Sequence, residues 1–156
     1  MQDVTMKDIL SEMARGLAGT WVLMVADSDG MVLSSWASSD NRIDPEAFGG
    51  FIQIINATII QFKASAVGFT KLDDVTFATP FTYMIAKPIA EGACFLFVSA
   101  PKTVPLGMIR ISLATYAPRL ELALPGHEAI FKIDGNGIGT GNGTGTGNGI
   151  GTVAPS

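Results

Sequence analysis

Apolar residues near the start of the chain recur at helical spacing. Met6, Ile9, Leu10, Met13 and Leu17 line one face, which predicts a helix over 5–17. Thr5 and Asp8 resemble a capping box with aspartate in place of the usual glutamate, and Gly16 and Gly19 are the expected stops. The period then changes. "TWVLMVADSDGMVLSSW" is an apolar run broken by Asp29-Gly30, so two antiparallel strands are predicted around a tight turn. Pairing Ser28 with Met31 sets Leu23 opposite Trp36. The first strand is apolar on both faces and belongs inside its sheet.

"SSDNRID" reads as a loop, and Pro45 opens a second helix running to about Ala66. Phe48, Ile52, Ile55, Ile59 and Phe62 form one stripe along it. Phe51, Ile54 and Ile60 carry apolar character further round, leaving a narrow polar strip of Gln53, Asn56 and Lys63. A helix lying on one sheet needs an apolar arc of only about 100° or slightly more. This arc is wider, so a second side of the helix should also be covered. A central helix enclosed by its own chain would satisfy that, but so few helices make the enclosure hard to arrange. A subunit interface is the expectation.

Strands are predicted at about 74–79, 81–88 and 93–100, joined by the short connections Pro80-Phe81 and Ala90 to Gly92 into an antiparallel meander. Pro88 falls near a strand end, where a missing amide costs least. A third helix starts near Pro105 with Leu106, Ile109, Leu113, Ala117, Leu120 and Leu124 on one face. Pro118 should kink or interrupt it, and Pro125-Gly126 should end it. The fold class expected is an α/β (α+β) sandwich: a five-stranded antiparallel sheet flanked by three helices in the order α-β-β-α-β-β-β-α. Residues 1–125 would form the domain and 126–156 a glycine-rich tail.

Composition supports burial against a partner. Hydrophobic residues make up 47% of the 156-residue chain and charged residues 15%, which leaves little polar surface for a lone monomer. The net charge of −4, with Lys and Arg scattered singly, argues against nucleic acid. No apolar window is long enough to span a membrane. The amphipathic start carries Asp3, Asp8 and Glu12, unlike a signal or transit peptide, so a cytoplasmic location is expected.

Catalytic chemistry finds no support. Cys94, the single cysteine, lies in the apolar run "ACFLFVSA" and reads as a buried, inert thiol. His127 lies beyond the last helix, in a linker. Asp73 and Asp74 are adjacent in a turn, so their side chains should diverge into solvent. Asp27 and Asp29 lack the further ligands of a calcium loop. The chain is therefore expected not to be an enzyme, and to need no cofactor or metal.

"VLMVADSDGMVLSSW", "FIQIINATII", "VTFATPFTYMIAKPI" with "CFLFVSA", and "LGMIRISLATYAPRL" with Leu106, Gly107 and Arg110 together resemble the roadblock family over residues 4–124. That family includes dynein light chains and regulators of Ras-like GTPases on a profilin-like fold. Pro105 stands where the family often has asparagine, and Pro118 is unusual. The resemblance implies a homodimer in which two sheets join edge to edge and the central helices pack together. The joining edge would be the strand at 75–79, with Val75 and Phe77, and the seam would involve Phe48, Phe51, Ile52, Ile55, Ile59 and Phe62. It also implies that a small Ras-like GTPase docks near Gln53, Asn56 and Lys63, a strip that could equally be a solvated helix face. The alternative is a structural subunit or motor-complex light chain whose glycine-rich tail aids assembly.

That tail, "GNGIGTGNGTGTGNGIGT", repeats Asn-Gly-x-Gly-Thr-Gly from Asn136, Asn142 and Asn148. It lacks the lysine and following helix of a phosphate loop. Ordering each glycine costs about 1–2 kcal/mol of backbone entropy, which favours a flexible tail. A strand with one bare glycine face is the competing reading.

Overall fold

A computed structural model of the chain describes residues 4–65 and 71–126. The chain divides into two compact units, Met1–Glu121 and Leu122–Ser156. The sheet lies in the first. Of the second, residues 122–126 are described, so the glycine repeats and His127 lie outside the described residues.

The described residues form, in order, α1 (Met6–Gly16), β1 (Val22–Asp27), β2 (Val32–Ala37), a 3-10 turn (Pro45–Phe48), α2 (Gly49–Ser65), β3 (Val75–Ala78), β4 (Thr82–Ile89), a turn at Ala90–Gly92, β5 (Cys94–Pro101) and α3 (Leu106–Leu122), with helices and strands in the expected order. Thr5 caps α1 in a complete box: its hydroxyl accepts from the Asp8 amide, and the Asp8 carboxylate accepts from the Thr5 amide. The Thr5 amide first, and then the Thr5 hydroxyl, which also donates to Asp8 Oδ2 at 2.9 Å, hold the Asp8 carboxyl below its ordinary range.

The five strands form one antiparallel sheet in the order β2-β1-β5-β4-β3. Leu23 faces Trp36, as the alternation predicted, but the turn differs. Asp27, rather than Ser28, pairs with Met31, around a three-residue loop in which Gly30 takes a φ of 88°. The Asp27 carboxylate accepts from the amides of Asp29 and Met31, which favours this longer loop. A bulge between Val25 and Ala26 absorbs the one-residue difference and restores the register.

Side-chain alternation divides the core. Val22, Met24, Ala26, Ala86, Phe95 and Phe97 face α2 and bury Phe48, Ile52, Ile55 and Ile59. The opposite face, with Leu23, Val25, Ile85, Leu96 and Val98, takes α1 and α3. On that side Glu12 of α1 accepts from both Arg119 and Tyr116 of α3, and Lys7 donates to the Ser35 carbonyl of β2. α3 runs through Pro118 rather than stopping there. Pro118 and Ala114 are both exposed, so the carbonyl deprived of its amide partner is left to water, while Leu120, two residues on and round the helix, is fully buried.

α2 meets the hairpin through two glycines. A Cβ on Gly49 would lie 2.2 Å from the Gly30 carbonyl oxygen, and one on Gly30 would lie 2.3 Å from that of Gly49. Both clashes are with backbone, so no rotamer change relieves them. Gly50, the next residue, faces open space.

Gly49→Ala is therefore expected to destabilise the domain by about 2–3 kcal/mol through overpacking. Gly50→Ala should be neutral or stabilising by about 0.5 kcal/mol. Urea unfolding of the two variants measures the difference in sign. The Glu12 carboxyl is held down to about 2, mainly by the Arg119 hydrogen bonds and then by Tyr116, from an ordinary 4.5. A depressed acid stabilises above its unfolded value and loses that contribution as pH falls towards its folded value. The melting temperature of Glu12→Gln should thus lie below wild type at neutral pH, and the gap should close between about pH 4.5 and 2. High salt should shrink the gap as well.

Candidate functional site

Two features adjoin at one side of the sheet: an edge strand and an exposed helix flank. Among the described residues β3 pairs with β4 on one side and with no strand on the other. Its side chains alternate in the usual way. Phe77 points towards α2, where its ring lies 4.9 Å from that of Phe51, and Thr76 points towards α3. Phe51 also meets Phe97 of β5 at 5.9 Å, where the neighbouring position on β4 is the small Ala86.

About 100° of rotation per residue places Phe51, Ile54, Thr58 and Phe62 on one flank of α2, and Gln53, Asn56, Ile60 and Lys63 on the other. The Phe51–Phe77 contact identifies the first flank as the β3 side. Gly49, packed on Gly30, places the second flank over the β1–β2 turn. The line furthest from the sheet is small: Gly50, Ala57 and Ala64 are all exposed and lie seven residues apart.

The residues expected to form a seam therefore separate. Phe48, Ile52, Ile55 and Ile59 are 9%, 0%, 3% and 8% exposed and are committed to the protomer's own core. The sheet covers that stripe within the single chain. Phe51 and Val75 are half-buried, while Phe62 and Phe77 are exposed. Ile54 at 67% and Ile60 at 58% are the aliphatic residues the helix turns outward. The width of the apolar arc announced such residues, but spacing could not say which stripe faced the sheet. Gln53 and Lys63 are exposed and Asn56 half-buried, all three on the flank away from β3.

The start of the edge strand is tied down by a three-residue network. Arg110 of α3 donates from Nε to Asp74 Oδ2 at 3.2 Å and from Nη2 to Thr76 Oγ1 at 3.0 Å. Thr76 Oγ1 in turn donates to Asp74 Oδ1 at 2.9 Å. Asp74 thus faces Arg110 rather than diverging into solvent with Asp73, whose backbone carbonyl accepts from Lys87. Its partner stands 36 residues away, beyond any local spacing rule.

Elsewhere the chemistry is sparse. Cys94 is buried, which pushes its thiol pKa up, with nearby Asp27 adding to the effect. Among the described residues no group of His, Cys, Asp and Glu could hold a metal ion, and no helix is long and apolar enough to cross a membrane.

Arg110→Ala should loosen β3 without unfolding the sheet. Hydrogen exchange at the Val75 and Phe77 amides is expected to accelerate several-fold, while the amides of β1 and β5 keep their wild-type rates.

No family model matches the sequence, and no curated protein does. Solved structures do. An MglB with a tetrameric arrangement superposes with a TM-score of 0.63 at 20% identity, over 75% of this chain and 88% of that one. Myxococcus xanthus MglB gives 0.63 at 14% identity, over 75% and 90%. A Roadblock/LC7 domain from Streptomyces avermitilis gives 0.61 at 13%, over 76% and 96%. With its helices on both faces of a β2-β1-β5-β4-β3 sheet, the chain has the roadblock fold.

Proposed function

We propose that the chain is a non-enzymatic adaptor that pairs with a second copy of itself and, as a pair, binds and regulates a small Ras-like GTPase. One observation carries the pairing: an edge strand with no neighbour among the described residues lies beside an exposed apolar helix flank on the same protomer. Each alone is a liability in water. An open edge offers unpaired amides and carbonyls, and Ile54 and Phe77 expose apolar surface. A two-fold axis beside β3 would cover both at once, with β3 meeting β3 and the α2 helices approaching along Gly50, Ala57 and Ala64. The opposite edge strand, β2, is instead tied to α1 through Lys7. The tetrameric arrangement of one MglB supports self-association in this fold.

The GTPase reading rests on the resemblance of the sequence to the roadblock family. Gln53, Asn56 and Lys63 lie on the flank that this pairing leaves uncovered, so they stay available to a partner. No reactive constellation competes with a binding role at that flank. Assisting hydrolysis and scaffolding are both compatible with such a surface.

Sedimentation of the wild-type protein is expected to give a dimer. Ile54→Glu should weaken it at least about tenfold, in keeping with about 1.5–3 kcal/mol for one buried aliphatic side chain. Gln53→Ala with Lys63→Ala should remain dimeric but lose binding to a Ras-like GTPase of the same genome, measured by titration and by GTP hydrolysis. A wild-type monomer at micromolar concentration would overturn the pairing. A dimer that neither binds such GTPases nor alters their hydrolysis would favour a purely structural subunit.

A further inference from the structure

The backbone of β3 limits how two copies can meet. The amide of Thr79 donates to the Thr82 carbonyl across the β3–β4 hairpin, so that pair is hydrogen-bonded. In an antiparallel ladder hydrogen-bonded and non-bonded pairs alternate. With Phe77 opposite Met84 and Val75 opposite Ala86, those two residues aim their amides and carbonyls at β4. Thr76 and Ala78 therefore aim theirs outward, at the open edge.

Symmetry narrows the choice further. A two-fold axis that joins two copies of one strand in antiparallel fashion must stand perpendicular to the sheet. Paired residues then point to the same face, so Thr76 cannot oppose Phe77 of the second copy. Three registers place an interior residue of the edge on the axis and keep β3 in the pairing: Thr76, Phe77 or Ala78 opposite its own copy. Centring on Ala78 would set Thr76 against Pro80 of the second copy, which has no amide to give. Centring on Thr76 would set Ala78 against Asp74, which precedes the strand and is held by Arg110. Centring on Phe77 sets Thr76 against Ala78 twice over, and every outward amide and carbonyl of β3 finds a partner within the strand.

We infer that two copies of this chain join in the register that places Phe77 opposite Phe77, with Thr76 and Ala78 exchanging the hydrogen bonds on either side. The inference rests on the self-pairing proposed above and specifies its geometry. Phe77 then occupies a non-hydrogen-bonded pair, where side chains approach most closely, at a Cα separation of about 4.5 Å. Both rings point to the α2 side, each already against its own Phe51. The contact becomes a row of four aromatic rings across the axis, beneath the two α2 flanks that carry Ile54. Aromatic pairs opposed across strands are among the more stabilising cross-strand contacts.

Each register has its own covalent signature, because a disulfide needs Cα atoms about 4.4–6.8 Å apart. Three single variants, Thr76→Cys, Phe77→Cys and Ala78→Cys, are oxidised with diamide in the full chain and resolved on non-reducing gels. Sedimentation of each reduced variant is run alongside. The buried native Cys94 serves as the uncross-linked control. Phe77→Cys is expected to become predominantly covalent dimer, while Thr76→Cys and Ala78→Cys cross-link slowly or not at all. The mixed sample of Thr76→Cys with Ala78→Cys should cross-link as a heterodimer. Preferential cross-linking of Thr76→Cys or Ala78→Cys alone, in a protein that still sediments as a dimer, would overturn the register and leave the pairing standing. A reduced wild-type protein that sediments as a monomer would overturn both. Should Phe77→Cys itself fail to dimerise when reduced, the mixed Thr76→Cys and Ala78→Cys sample still decides: a heterodimer supports the register, and its absence in a dimeric protein refutes it.

Discussion

Two glycine backbones in contact decide what the rest of the molecule presents. Gly30 closes the β1–β2 loop and Gly49 begins α2, and each occupies space that any side chain on the other would need. This contact seats the start of the helix on the hairpin. From there the helical period does the rest: Ile52, Ile55 and Ile59 drop into the sheet, Phe51 leans towards β3, and Ile54 and Ile60 turn outward. A rotation of α2 by one residue's worth, about 100°, would exchange buried for exposed residues almost completely. The sequence pattern alone would tolerate that exchange, since the helix is apolar over so much of its circumference. Backbone contact, not hydrophobicity, selects the face.

The consequence is a division of labour along one helix. The stripe beneath it holds the domain together through Phe48 and Phe97, whose ring centroids lie 4.7 Å apart, and through the isoleucines over β1 and β5. The flank beside β3 joins Phe77 in a surface that is apolar and borders an open strand. The flank over the hairpin turn carries Gln53, Asn56 and Lys63. Under the proposed pairing, stability, self-recognition and partner recognition would be separable, which an interface built from core residues would not permit. Arg110 adds a mechanical link, because it ties α3 to the first residues of the strand that forms the edge.

Much of this was legible in the sequence, and the failures have physical causes. Element order, the Leu23–Trp36 pairing and the sandwich followed from periodicity, because the sheet alternates strictly and both its faces are covered. The loop at Asp29-Gly30 was misjudged by one residue, since the Asp27 carboxylate stabilises a longer turn and a bulge conceals the change further along. Pro118 is expected to kink or interrupt the helix, yet α3 continues through it, with Pro118 and Ala114 exposed near the helix end, where water can replace the lost hydrogen bond. Local spacing predicts a solvated Asp74, because its partner Arg110 is distant in sequence. Of the expected seam residues, Phe48, Ile52, Ile55 and Ile59 lie in the protomer's own core, because an arc apolar over so much of the helix does not say which side is inside.

The outward amides of Thr76 and Ala78 report most directly on whether the edge is covered. Their hydrogen exchange can be followed as the protein is diluted, with the inward amides of Val75 and Phe77 as internal reference. Slow exchange at Thr76 and Ala78 in concentrated protein, rising on dilution while Val75 and Phe77 stay protected, is the result this account predicts. Fast exchange at Thr76 and Ala78 at every concentration, beside protected Val75 and Phe77, would show an edge that stays open to water and would contradict it.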